Sequence, residues 1–136
     1  GGSVLITVSD RDKEEAAQLA KEFLEHGYRI MATEGTGQYL QEAGVEVDIV
    51  NKMHEGGDRT CATVLREGQV DMVVNTITYG KRPEREGFRL RRLAVELGIP
   101  CLTSLDTTRE VVHVLQNRKK QDLPEVKALQ DYHQEG

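Results

Sequence analysis

The chain has 136 residues, a formal net charge of −5, 38% hydrophobic residues and 4% aromatic residues. This length fits one domain with an aliphatic core, and the acidic balance argues against nucleic acid as the main partner, because phosphate backbones bind basic faces. The apolar runs are too short to span a bilayer and no signal peptide is visible, so we expect a cytoplasmic protein without membrane contacts.

Short apolar runs alternate with segments of helical periodicity along most of the chain. In chain order the pattern predicts strand 4–8, helix 12–25, strand 29–33, helix 37–43, strand 46–50, helix 58–67, strand 72–75, helix 84–97, strand 99–103 and helix 107–116. This alternation predicts an α/β fold, a three-layer αβα sandwich with a five-stranded parallel sheet of Rossmann-like architecture. We assign residues 4–118 to this domain, residues 119–136 to a polar tail, and residues 1–3 to a tag or linker remnant.

The turn after the second predicted strand, Thr33-Glu34-Gly35-Thr36-Gly37, is the strongest candidate for a ligand site. A strand followed by a turn and a helix aims backbone N–H groups, with their partial positive charge, at one point. The glycines let a ligand approach the backbone, and Thr33 and Thr36 add hydroxyl groups. The turn therefore predicts a small pocket for the phosphate of a nucleotide or a phosphorylated metabolite.

Two lysines are expected at the same edge, because the carboxyl ends of parallel strands meet there. Lys13 lies near the start of the first predicted helix, and Lys52 directly follows the third strand. Lys13 alone is typical of a solvated helix surface, Lys52 alone fits a surface role or a binding role equally well, and Thr33 or Thr36 alone is typical of a helix cap. Since all four converge around one glycine turn, we predict that they bind a phosphate with micromolar affinity, about −8 kcal/mol.

Other polar residues leave alternatives open. Asn75, Thr76 and Thr78 follow the fourth strand, where they either hydrogen-bond a sugar or base or satisfy loop backbone groups. The basic stretch 81–92 is either a solvated helix face or a face toward another domain. No nucleophile–base pair is evident, and Asp58 is the one credible acid or base at this edge.

The two cysteines, Cys61 and Cys101, form no CxxC pair, and His54 has no second ligand at motif spacing. We therefore predict reduced, buried thiols and no metal site.

These residues give the chain a resemblance to methylglyoxal synthase-like domains, closest to the C-terminal allosteric domain of carbamoyl phosphate synthetase large subunits. The matching segments run in order over nearly the whole chain: 8–13 (VSDRDK), 32–36 (ATEGT), 50–56 (VNKMHEG), 73–78 (VVNTIT) and 89–92 (RLRR). The NKMHEG segment points most directly to the synthetase.

The resemblance implies a regulatory domain that is itself non-catalytic, needs no cofactor and belongs to a glutamine-hydrolysing, ATP-dependent ligase. It implies that Lys13, Thr33, Gly35, Thr36 and Lys52 hold the phosphate of an effector, namely UMP, IMP or PRPP. The implied partners are the catalytic domains of the same large subunit and the glutaminase small subunit.

The same resemblance places Asn75, Thr76 and Thr78 on the ribose or base side of the effector. It matches Thr103 to a threonine that contacts ornithine at a domain boundary in ornithine-activated members. Some members carry threonine where Ile77 stands, and loop 79–87 departs from the ornithine-activated pattern, so the effector is left open.

Two enzyme readings remain as alternatives. Methylglyoxal synthase, which removes phosphate from dihydroxyacetone phosphate, has a Gly-Gly-Asp motif that matches Gly56-Gly57-Asp58, but its loop after strand four carries a histidine that loop 79–87 lacks. Catalysis needs a second proton-transfer group, which this loop does not offer. The cyclohydrolase domain of purine synthesis is the other enzyme hypothesis. The longer continuation of that domain is absent from this sequence, which argues against the hypothesis.

Overall fold

The computed structural model describes residues 2–53, 56–76 and 85–121, in which five strands alternate with five helices. The strands are β1 (Ser3–Thr7), β2 (Arg29–Thr33), β3 (Asp48–Val50), β4 (Met72–Asn75) and β5 (Cys101–Leu102). The helices are α1 (Lys13–Glu25), α2 (Glu34–Glu42), α3 (Cys61–Arg66), α4 (Arg85–Glu96) and α5 (Leu105–Gln121), and a 3-10 turn at Asp10–Asp12 precedes α1. None of the helices described is long and apolar enough to cross a bilayer.

All five strands run parallel in one sheet of order β3-β2-β1-β4-β5, which confirms the predicted fold class. The central strand β1 pairs with β2 on one side and β4 on the other, and its last residue Thr7 stands opposite Asn75. From β1 the chain moves outward through β2 and β3, then returns to β4 and moves toward the other edge. Ligands of such sheets bind where these two directions diverge, beyond the carboxyl ends of the strands.

Helices cover both faces of the sheet because successive residues of a buried strand point to opposite sides. On one face, Val4 and Ile6 pack with α1, α2 and α5 in a core that contains Phe23. On the other, Leu5 packs in a core with α3 and α4. The core is aliphatic apart from Phe23, as the scarcity of aromatic residues predicts. Cys61 is buried as predicted, whereas Cys101 is only half-buried, and neither cysteine forms a disulfide.

Several element boundaries differ from the prediction. β1 already includes Ser3, whose N–H donates to Asp71 at 2.8 Å, so the strand begins one residue earlier than predicted. α3 begins at Cys61 instead of 58, because Thr60 caps it through a reciprocal pair of hydrogen bonds with Thr63. β5 has only two residues, since it pairs with β4 alone at the edge of the sheet.

The difference that matters most for the candidate ligand site concerns the glycine turn, which is not a loop but the first turn of α2. α2 begins at Glu34, with Thr33 as its N-cap, three residues before the predicted start. Gly37 is needed here for close packing, because a Cβ atom at this position would lie 2.8 Å from Ile49 Cγ1 on β3. At Gly35 a Cβ atom would meet only Lys13 Nζ, at an ordinary 3.9 Å.

These two glycines form a matched pair in one helix. Both Gly35→Ala and Gly37→Ala gain helix propensity, but only the second forces a methyl group into Ile49. We expect Gly37→Ala to be less stable than Gly35→Ala by about 1–3 kcal/mol in urea unfolding. Equal stabilities would contradict the close packing of α2 on β3.

Candidate functional site

A cleft of about 230 Å³ opens where the loops after β1, β2 and β3 meet the end of β4 and the start of α4. Its walls are Thr7, Val8, Asp10, Lys13, Thr33, Gly35, Thr36, Lys52, Cys61, Asn75, Gly87 and Leu90. Six of the nine residues predicted to meet a ligand are in this set: Lys13, Thr33, Gly35, Thr36, Lys52 and Asn75. The convergence of loops at one edge follows from the parallel sheet, which brings all strand ends to the same side.

The N-terminus of α2 forms one wall of the cleft. Thr33 is the N-cap in extended conformation, but its side chain makes no capping hydrogen bond. Its hydroxyl donates instead to Thr7 Oγ1 at 3.4 Å. The N–H groups of the first helical turn have no intrahelical acceptor, and the helix dipole adds partial positive charge there. Because Gly35 and Thr36 line the cleft, this end of α2 is suited to an anion.

Thr36 joins this helix end to the loop after β1. It is buried, and its Oγ1 accepts a hydrogen bond from the Val8 N–H at 3.2 Å. A hydroxyl that accepts one hydrogen bond still carries its own proton, which it can donate to a ligand. Thr36 therefore serves the fold and remains chemically competent toward an anion.

Lys13 places its ammonium over the first turn of α2. Its side chain is only 17% exposed, and Nζ lies 2.7 Å from Asp10 Oδ1. The hydrogen bond from Lys13, and then its charge, hold the pKa of the Asp10 carboxyl below its ordinary value. Asp10 is thus charged at neutral pH, and its 95% exposed side chain pairs with Lys13 at the open side of the cleft.

Lys52 reaches the cleft from the segment that follows β3, and that segment is closed at its base. The Asn51 N–H donates to the Arg59 carbonyl, and the Cys61 N–H donates to the Asn51 carbonyl, both at 2.9 Å. Arg59 also forms two hydrogen bonds with Asp48, at 2.9 and 2.7 Å. The Arg59 hydrogen bonds lower the pKa of the Asp48 carboxyl. The two ends of the segment that carries Lys52 are therefore held together.

Asp58, the candidate acid or base of the sequence, lies exposed in this segment and is absent from the cleft lining. The preceding Gly56 and Gly57 have φ angles of 71° and 97°, so glycine is required there by the turn itself. The Gly-Gly-Asp pattern thus has a sufficient conformational explanation.

Asn75 and Thr76 both hold the loop after β1. Asn75 is 1% exposed; its amide donates to the Thr7 carbonyl at 2.9 Å, and its oxygen accepts from Arg91. Thr76 Oγ1 accepts from the Ser9 N–H at 2.9 Å. These contacts agree with the interpretation that the two residues satisfy loop backbone groups, and contact with a sugar stays a prediction.

Two predicted residues remain, Thr103 and Thr78. Thr103 is exposed directly after β5 and does not line the cleft. Thr78 lies outside the residues that the structure describes, as does most of loop 79–87.

Sequence reasoning gave Asp10 and Arg91 no role in the site. Asp10 stands beside Ser9 and three residues before Lys13, a spacing at which side chains on a helical turn meet, so the pair could have been found. Arg91 follows Leu90, which faces the core, but its reach to Asn75 depends on how α4 packs against β4, and spacing does not reveal that. Burial raises the pKa of the nearby Cys101 thiol, and the charge of Arg91 acts in the opposite direction.

The Asp10 contact makes a prediction about anion affinity. Asp10→Asn removes a carboxylate that competes for Lys13, so we expect inorganic phosphate to bind several-fold more tightly, by about threefold to tenfold. Calorimetric titration measures this change. Asp106→Asn is the matched control, because Asp106 is an exposed carboxylate paired with Arg109 on α5. An equal gain in both variants would assign the effect to net charge alone.

Comparison with known proteins agrees with this fold. A protein-family model, the MGS-like domain, matches residues 15–103, and the chain belongs to that family. The structure is similar to the crystal structure of methylglyoxal synthase from Elizabethkingia anophelis NUHP1, with 20% sequence identity, a TM-score of 0.66, and coverage of 82% of this chain and 76% of that chain. It is also similar to the crystal structure of ForH, with 23% identity, a TM-score of 0.64, and coverage of 85% and 80%. At such identities the likeness to these two structures establishes the fold.

Proposed function

We propose that this chain is the allosteric effector-binding domain of a carbamoyl phosphate synthetase large subunit and that it binds a nucleotide-type phosphate: UMP, IMP or PRPP. The observation that carries the proposal is the meeting of Lys13 and Lys52 with the uncapped N-terminus of α2 in one cleft. The resemblance of the NKMHEG segment, 51–56, to the synthetase pattern supports the choice within the family.

Charge and size both suit a phosphate. A phosphate monoester carries a charge of about −1.5 to −2 at neutral pH, which two ammonium groups and a helix N-terminus can balance. Small-molecule sites usually enclose about 300–1,000 Å³, so a cleft of about 230 Å³ accommodates the phosphate and part of a sugar. The base of a nucleotide would then lie at the open mouth, where it is accessible to a neighbouring domain.

The cleft favours binding over catalysis. General acid–base chemistry needs proton-transfer groups within hydrogen-bond reach of the substrate. Asp10 is the one carboxylate in the cleft lining described, and its pKa is lowered by Lys13, which suits it to an ion pair and not to proton donation. Asp58 lies exposed outside the lining.

A regulatory domain needs a face toward its catalytic partners, and α4 offers one. Phe88 is 60% exposed and Val95 is 72% exposed on this helix, whose start at Gly87 and Leu90 also lines the cleft. Thr103, exposed after β5, is available for the ornithine contact that the resemblance implies. Coupling of about 1–3 kcal/mol between the effector and the catalytic domains would suffice for regulation.

Methylglyoxal synthase is the second candidate, which the structural similarity and the Gly56-Gly57-Asp58 motif favour. The phosphate of dihydroxyacetone phosphate would fit the same cleft. The exposed position of Asp58 speaks for the regulatory proposal.

Substitution of the two lysines tests the proposed site. Charge-assisted hydrogen bonds contribute about 1.5–3 kcal/mol each, so we expect Lys13→Met and Lys52→Met each to weaken UMP binding by about tenfold or more. The measurement is calorimetric titration with UMP, IMP and PRPP in parallel. Lys21→Met is the matched control, since Lys21 is an exposed lysine of α1 outside the cleft. Equal losses in all three variants would refute the site.

An activity assay separates the two candidates. We expect no phosphate release from dihydroxyacetone phosphate above background, because Asp58 lies outside the cleft and loop 79–87 carries no histidine. Turnover by the unsubstituted chain that disappears in Asp58→Asn would establish the enzyme reading instead.

A further inference from the structure

Arg91 lies on the second turn of α4 and contacts Asn75, which lines the cleft. Its guanidinium donates a hydrogen bond to Asn75 Oδ1, and the Asn75 amide donates in turn to the Thr7 carbonyl oxygen. We propose that Arg91 is a positioning residue for phosphate binding, which acts through Asn75 on the end of β1 and on the segment that leads to Lys13. This inference rests on the proposed function and adds α4 to the binding site.

The two partners of Asn75 determine how its amide is oriented. A guanidinium only donates and a carbonyl oxygen only accepts, so the amide oxygen faces Arg91 and the amide nitrogen faces Thr7. Asn75 is almost completely buried, so water has little access to replace a lost partner. Without Arg91, the amide oxygen is left unsatisfied, and a rotation toward another donor takes the nitrogen away from Thr7.

The position of Thr7 matters because the cleft begins there. Thr7 and Asn75 are the last pair in register between β1 and β4, and Thr7 also accepts the hydroxyl hydrogen bond from Thr33. Six residues later the chain reaches Lys13. Binding sites tolerate displacements of only about 0.5 Å, so a loosened strand end is expected to reduce the alignment of the ammonium with the α2 N-terminus.

A simpler explanation would be that Arg91 acts only as a positive charge near the cleft. Arg92 provides the comparison, because it is the next residue of the same helix and carries the same charge. Its side chain is 71% exposed and pairs with Glu96 at 3.4 Å, away from Asn75. A charge effect over several ångströms would be similar for both arginines and would weaken with salt. An effect transmitted through the hydrogen bonds of Asn75 is expected for Arg91 alone.

The test is a double-mutant cycle read by calorimetry with inorganic phosphate and with UMP. We expect Arg91→Met to weaken binding by about tenfold, which corresponds to about 1.4 kcal/mol, and Arg92→Met to change it by less than about twofold. We expect the double variant Arg91→Met with Asn75→Ala to bind no more weakly than Asn75→Ala alone, because both residues act in one chain of contacts. Arg91→Lys, which keeps the charge but loses the planar fork, should retain only part of the affinity.

The outcomes separate this inference from the proposed function. If the unsubstituted chain binds phosphate and Lys52→Met weakens it, but Arg91→Met binds normally or its effect adds to that of Asn75→Ala, the inference alone is overturned. Absence of binding by the unsubstituted chain overturns both.

A second measurement needs no substitution. Saturating the unsubstituted chain with phosphate should shift the side-chain NMR signals of Asn75 and Arg91 and leave that of Arg92 in place; unmoved Asn75 and Arg91 signals would overturn the inference.

Discussion

The last residue of the central strand β1 and the two residues after it are each held by a side chain from a neighbouring element, and the cleft depends on this constraint. The Thr7 carbonyl is held by Asn75, the Val8 N–H by Thr36 and the Ser9 N–H by Thr76. A strand that leaves its sheet loses its ladder of backbone hydrogen bonds, and buried backbone groups need other partners. Here the partners come from β4, α2 and the residue after β4. The loop after β1 is thereby fixed between the two directions of the fold, and Lys13 follows from it.

The constraint allows an acidic chain to form a local cluster of positive charge. The overall charge is −5, yet Lys13, Lys52 and the N-terminus of α2 meet in one small cleft, with Arg91 behind its floor. Like charges repel one another, and a rigid backbone together with the Asp10 carboxylate offsets that repulsion while no ligand is bound. Under the proposed function, an anionic ligand would take the place of the Asp10 carboxylate beside Lys13. The constraint also explains why the threonines that hold the loop after β1 lie at positions expected to contact the ligand.

The sequence predicts much of this because its signals are local. Alternating periodicities define the parallel sheet, and the parallel sheet in turn gathers the strand ends, so the meeting of Lys13, Thr36 and Lys52 could be anticipated. The start of α2 could not, because glycines lower helix propensity and the pattern becomes helical only after them. The reach of Arg91 depends on the packing of α4, and the opposition of Thr7 and Asn75 depends on a strand order that spacing does not encode.

We propose that the cleft beyond β1, β2 and β4 binds a phosphoryl group, and a crystal structure of the complex with UMP tests this proposal most directly. We expect a phosphorus atom between the ammonium groups of Lys13 and Lys52. Its oxygens should accept hydrogen bonds from the N–H groups of the first turn of α2, and the Asp10 carboxylate should have moved away from Lys13. A phosphate seated elsewhere on the protein, with the Lys13–Asp10 pair intact in the same crystal, would contradict it.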